Sequence, residues 1–188
     1  MMTATPLFFV NNLRLERGGR IVLQNLDLHI ASGAALHITG PNGLGKTSLL
    51  RYVTEHTSLK TRIFLPANDY YLKTRDSLGD NLRFWAKVDF NADQIVLEKF
   101  HLTAHENQPV AKLSAGQRQR AHLSRLLAGY APLWILDEPL NNLDTQGVAI
   151  FEAVLQKHLQ AGGAAIIASH RPLSGATPFD LQPYAVAA

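Results

Sequence analysis

The chain has no cysteine in its 188 residues, which excludes disulfides, thiol catalysis and cysteine-ligated zinc and suits a reducing compartment. Charge of one sign is also scarce. Eighteen Lys and Arg against fifteen Asp and Glu leave only +3, too small a surplus for a nucleic-acid-binding stripe, so no nucleic-acid partner is expected. Long apolar runs are missing. The stretches around Ala131–Leu136 and Ala164–Ala168 fall far short of the ~20 residues with which a helix crosses a bilayer. The opening Met1-Met2-Thr3-Ala4-Thr5-Pro6 has neither a basic segment nor a long apolar one, so a signal peptide is not expected. Any membrane work should therefore pass through a separately encoded partner chain. What is present is ordinary for a globular domain: 46% apolar and 18% charged residues at a length that suits one domain. We read residues 1–188 as a single unit without repeats or linkers.

The hydrophobic pattern divides the chain. Leu7–Val10 continuing through Leu13 and Leu15 reads as a strand, Gly18-Gly19 as a hairpin turn, and Ile21–Ile30 as the returning strand. After the turn Ala31-Ser32-Gly33, the apolar run Ala34–Thr39 reads as a buried strand discharging into Gly40. A helix is expected over Thr47–Val53 and a brief strand over Arg62–Leu65. Leu78, Leu82 and Trp85 fall at helical spacing, and Asn91 is expected to cap a helix over Ala92–Phe100. Ser114 precedes a further helix ending near Gly129. The succession of strand Leu133–Leu136, helix Thr145–Gln160 and strand Ala164–Ala168 predicts a parallel sheet covered by helices, with a helical insert over roughly residues 70–128.

Two motifs carry chemistry. Gly40-Pro41-Asn42-Gly43-Leu44-Gly45-Lys46-Thr47, with Ser48 behind it, follows a predicted strand and opens a predicted helix. Its glycines let backbone N–H groups wrap an anion beside a helix N-terminus. Lys46 suits β- and γ-phosphates, and the Thr47 hydroxyl suits Mg²⁺. The segment implies a nucleoside triphosphate. The second motif, Leu133-Trp134-Ile135-Leu136-Asp137-Glu138, is an apolar strand with two carboxylates at its C-terminal end, the edge where open parallel sheets bind ligands. Asp137 is placed to hold Mg²⁺ and Glu138 to polarise the attacking water. A GTPase-type switch is excluded by the lack of an Asn-Lys-x-Asp base-reading motif.

Leu113-Ser114-Ala115-Gly116-Gln117, Asn141-Asn142-Leu143-Asp144 and Ala168-Ser169-His170 complete an order that resembles the nucleotide-binding domain of ATP-binding cassette proteins over residues 7 to 175. The resemblance implies an α/β phosphate-loop NTPase fold: a parallel sheet core flanked by helices, an N-terminal antiparallel part and a helical insert. It implies ATP hydrolysis with Mg²⁺, and two copies facing head to tail in an ATP-dependent dimer. Ser114, Gly116 and Gln117 then belong to the segment that closes over the γ-phosphate held by the other copy. His170 resembles the histidine that contacts the γ-phosphate, and Asp144 the residue that couples the two sites. A narrower likeness points to the haem-exporter ATPases of cytochrome c maturation. It rests on Leu-Ser-Ala-Gly-Gln, on the stretch Ala131–Pro139, on Ser169-His170-Arg171-Pro172-Leu173, on Lys73-Thr74-Arg75 ahead of Leu78–Leu82, and on the Glu16–Gly19 turn. It implies an integral membrane partner and a peripheral position on the cytoplasmic face of the bacterial inner membrane. Another exporter's ATP-binding subunit, or a soluble non-transport cassette ATPase, is the alternative.

Three departures from the family pattern stand out. Arg17 occupies the place of an aromatic adenine platform, which predicts a looser base site. Only part of the usual antiparallel sheet fits between Thr47 and Pro66, so a reduced sheet is expected. The glutamine that ligates Mg²⁺ in the family is replaced by Asn68 or Asp69. Among the remaining polar residues, His101 and His105 are expected at the surface, and Tyr70-Tyr71 with Phe84-Trp85 suit either a partner groove or core packing.

Overall fold

The computed structural model describes residues 6–59 and 71–186 in full and residues 62–65 as backbone. Strands β1 (Pro6–Arg17) and β2 (Arg20–Ala31) form an antiparallel hairpin closed by Arg17↔Arg20 pairing. The two turn residues, Gly18 at φ 58° and Gly19 at φ 77°, need the left-handed conformation that a two-residue turn matched to strand twist imposes. The hairpin is the whole antiparallel sheet among the described residues, in keeping with a reduced N-terminal part.

Five parallel strands form the core: β3 (Ala35–Thr39), β4 (Arg62–Leu65), β5 (Leu133–Asp137), β6 (Ala164–Ala168) and β7 (Thr177–Asp180), in the order β4-β5-β6-β3-β7. Four helices accompany them: α1 (Lys46–His56), α2 (Leu78–Phe90), α3 (Ala115–Ser124) and α4 (Thr145–Gln160). Alternation along the strands divides the apolar residues between two faces. Leu133 and Ile135 of β5 and Ala164, Ile166 and Ala168 of β6 face one cluster, with Leu49, Leu50 and Val53 of α1 and the inner side of the hairpin. Trp134, Leu136, Ala165 and Ile167 face the other, with Phe151 and Leu155 of α4 and the segments between β4 and β5. β5 and β6 are buried on both faces, which is why they read as continuous apolar runs.

The helix ends account for one correction. Asn91 does not start a helix. It ends α2 in the left-handed conformation, φ 53°, and its N–H donates to Lys87 O at 2.9 Å. Asparagine is favoured both before a helix and at a left-handed stop, so the letter alone could not tell the two apart. No α-helix follows; a 3₁₀ turn at Glu98–Phe100 brings Leu97, Phe100 and Leu102 into the core instead. The sequence reading does not include strand β7. It lies at the sheet edge, pairing with β3 on one side only, where proline is tolerated.

Candidate active site

Three strand ends meet at one edge of the sheet. β3 runs into the loop 40–45 and α1, β6 into Ser169-His170, and β5 ends on Asp137 with Glu138 next. The loop carries positive φ at Gly40 (136°), Gly43 (84°) and Gly45 (103°), the last being the N-cap of α1. A side chain at Gly40 would meet the Leu44 side chain at 2.7 Å. The result is a backbone curl around the first turn of α1, whose N–H groups lack helical partners and favour an anion. Lys46 is buried, and its ammonium donates to Gly40 O at 2.7 Å and Pro41 O at 3.1 Å. It has no ion pair among the described residues, so its charge is met chiefly by carbonyl dipoles and stays available to a phosphate.

Asp137 is also buried, and its Oδ2 accepts the Thr47 hydroxyl at 2.7 Å. Glu138 takes a left-handed conformation, φ 51°, unusual for a non-glycine residue. Its N–H donates to Ala168 O at 2.8 Å, continuing the β5–β6 ladder, while its carboxylate turns to His170: Oε1 lies 3.4 Å from Nε2 and Oε2 accepts the His170 N–H at 3.4 Å. His170 Nε2 also lies 2.7 Å from Asn42 Oδ1 and 3.4 Å from Lys46 Nζ. The short contact to Asn42 requires Nε2 to carry a proton and donate. His170 thus joins the phosphate loop to the carboxylate. These groups line a cleft of about 170 Å³ that also includes Arg17 and Ser48. The oxygen pair Thr47–Asp137 fits Mg²⁺, a hard cation that takes oxygen ligands. No group of three or more His, Asp or Glu among the described residues is arranged to hold a metal ion by itself, so the metal would depend on nucleotide oxygens and water for the rest of its shell.

The sequence-predicted residues divide accordingly. Gly40 to Ser48, Asp137, Glu138, His170 and Arg17 come together. Ser114, Gly116, Gln117 and Asp144 do not line the cleft of this copy. Ser114 sits exposed at the N-cap of α3, its hydroxyl accepting the Gln117 N–H at 3.2 Å while Gln117 Oε1 accepts the Ser114 N–H at 2.8 Å. Gln117 is therefore folded back into a capping box, and its side chain is not directed at a ligand. Gly116 is small for a local reason: a Cβ there would lie 2.8 Å from Asn142 O. Asp144 caps α4, accepting the Gly147 N–H at 2.8 Å. Asn68 and Asp69 lie outside the described residues. Sequence reading missed the braces of the site: Gln119 Nε2 donates to Pro139 O at 2.8 Å, and Arg171 donates to Leu140 O and Leu143 O, both at 3.1 Å. Their partners are carbonyls, which leave no trace in residue spacing. His105, expected at the surface, is half-buried with its Nε2 3.0 Å from Gln117 Nε2.

The family model described as ABC transporter matches residues 23–141. The chain belongs to the ABC transporter family. It is 40% identical over 189 residues to the cytochrome c biogenesis ATP-binding export protein CcmA of Rhodobacter capsulatus, covering 95% of this chain and 88% of that one. To the protein of the same name from Cereibacter sphaeroides it is 40% identical over 187 residues, covering 93% and 89%. To that from Paramagnetospirillum magneticum it is 36% identical over 208 residues, covering 96% of each. The fold matches an ABC transporter ATP-binding protein from Pyrococcus furiosus with a TM-score of 0.81 over 95% of this chain and 98% of that chain, at 21% identity. As an ABC ATPase, the chain binds and hydrolyses ATP, and its family implies a dimeric arrangement and a membrane-embedded partner. No helix among the described residues is long and apolar enough to cross a membrane.

Proposed function

We propose that the chain is the ATP-hydrolysing subunit of the membrane complex that exports or handles haem for c-type cytochrome biogenesis. The observation that carries this reading is the identity of about two residues in five, across nearly the whole chain, with relatives named for that process. ATP enters the cleft with its phosphates on the N–H groups of the loop 40–47, and Lys46 exchanges its two carbonyl partners for phosphate oxygens. Thr47 and Asp137 would hold Mg²⁺, with Asp69 a further candidate ligand; bound there, the metal would neutralise charge on the phosphate oxygens. Glu138 takes the proton of the attacking water, and His170 orients the carboxylate and contacts the γ-phosphate. Ser114, Gly116 and Gln117 of a second copy close the open side head to tail, Asp144 lies at the same junction, and Arg17 stacks on the base.

The partner's docking face is proposed around Tyr71, Phe84 and Trp85. Tyr71 and Phe84 are exposed, and both pack edge-on against Trp85, whose indole N–H donates to Tyr71 O at 2.7 Å. Such a rigid aromatic ledge suits a helix from a membrane chain, and it would hold this chain peripherally on the cytoplasmic face of the inner membrane. The test is genetic and spectroscopic. A host deleted for this chain should lose covalent haem in its c-type cytochromes, and the parent chain should restore it while Glu138→Gln should not. A deletion strain with normal c-type cytochromes would assign the ATPase to a different exporter.

A further inference from the structure

We propose that His105 is a positioning residue that sets the Ser114–Gln117 capping box in its nucleotide-closing shape and releases it on protonation. The proposal rests on the reading above that Ser114 meets ATP held by a second copy. The directions of three hydrogen bonds carry it. The Ser114 N–H can only donate, so Gln117 Oε1, 2.8 Å away, must accept. That fixes the amide, and Gln117 Nε2 is then a donor pointing at His105 Nε2, 3.0 Å away. His105 Nε2 must therefore be bare. The ring proton then sits on Nδ1, which faces Gln108 Oε1 at 3.2 Å, and every member of the chain has a consistent role. Only the neutral ring fits. An imidazolium would set two N–H groups against each other and force the Gln117 amide away from Ser114.

The ring is well anchored. His105 closes the 3₁₀ turn Thr103–His105, its N–H donating to Leu102 O at 2.9 Å. The segment after it is stitched to the start of α2: the Gly79 N–H donates to Glu106 O at 2.8 Å, Leu78 to Gln108 O at 2.9 Å, and the Val110 N–H to Asp76 O at 3.1 Å. Arg83 of α2 pairs with Glu106 and Asp80, and Arg118 of α3 donates to Leu113 O. The two side chains bonded to the ring, Gln108 and Gln117, are neutral. Protonation therefore brings no compensating attraction from the groups that touch the ring.

The experiment measures ATP-driven dimerisation of the full chain by sedimentation, in a Glu138→Gln background so that hydrolysis does not intervene, at about pH 8 and about pH 5.5, the range across which histidine changes charge. His105→Phe should weaken the dimer on the order of tenfold at the higher pH, the worth of about one hydrogen bond per copy, while ATP binding to the single chain stays unchanged. It should also flatten the acid weakening expected of the parent. His105→Gln, which keeps an acceptor but cannot titrate, should restore the dimer and remain flat with pH. Ser114→Arg is the control for the underlying reading. If it abolishes the dimer while His105→Phe matches the parent in strength and pH profile, the role of His105 is overturned and the shared site stands. That role is equally overturned if His105→Phe weakens the dimer but His105→Gln fails to restore it and acid sensitivity persists. If Ser114→Arg dimerises like the parent, or no ATP-driven dimer forms, the shared site fails and the His105 proposal with it.

Discussion

Lys46 and Glu138 divide the chemistry between them, and each can be removed separately. The Lys46 ammonium is the buried cation at the loop, held by two carbonyls. Lys46→Ala should cost one charge-assisted contact to phosphate, ~1.5–3 kcal/mol, or on the order of a ten- to hundredfold loss in ATP affinity. Titration with a fluorescent nucleotide measures it, and unchanged affinity would remove Lys46 from the phosphate site. Glu138→Gln leaves the shape intact but deletes the proton acceptor. Turnover should fall ~10²–10⁴-fold, the usual worth of a general base, with ATP affinity kept. A parent-like hydrolysis rate would place the base elsewhere, with His170, at 3.4 Å from Glu138, the next group to test.

Helix α4 carries an acid-sensitive contact. His158 stacks on Trp134 of β5 with ring centroids 3.7 Å apart and planes 4° apart, and its Nε2 faces Ala164 O at 3.2 Å. Gly163 has to be glycine here, since a Cβ would lie 2.1 Å from the His158 ring. Burial holds the imidazole below the usual histidine range, and the bond to Ala164 O opposes that in part. The unfolded chain therefore takes up a proton at a higher pH than the folded one. The stability contributed by neutral His158 is present above about pH 6.5 and is lost as pH falls through that value toward the lower folded one. Denaturant titrations of the parent and of His158→Phe at about pH 7.5 and about pH 5.5 should show a smaller acid loss in the variant. Equal losses in both would place the acid sensitivity elsewhere. The same part of the molecule shows why α2 stops where it does: Asn91, in the left-handed conformation, bonds back to Lys87 O.

A single copy leaves its cleft open on the side away from the loop, since Ser114 and Gly116 do not reach it. An exposed γ-phosphate is poorly stabilised where charge develops, which is the physical case for a second copy. Head-to-tail sharing makes a sharp demand. A dimer of one Lys46→Ala chain and one Ser114→Arg chain contains one site with both residues intact and one with neither. Mixing the two inactive proteins should therefore return up to about a quarter of parental activity on random pairing. A mixture that stays inactive although heterodimers form would rule out the shared site.

Local chemistry determined much of this protein in advance. The loop Gly40–Thr47 was legible because phosphate binding demands glycines and a lysine at fixed spacing. Asp137 and Glu138 were legible because two carboxylates at the C-terminal end of an apolar run mark the ligand-binding edge of a parallel sheet, and α4 and β6 because their apolar patterns are unbroken. Tertiary structure decided the rest. Asn91 became a stop because Leu97, Phe100 and Leu102 are drawn into the core beyond it. β7 formed because β3 had a free edge to pair. Gln119 and Arg171 found carbonyls, and His105 found Gln117, through contacts between chain segments 12 to 31 residues apart. Spacing along a chain encodes which face a side chain takes. It does not encode which carbonyl or ring from a distant segment will meet it there.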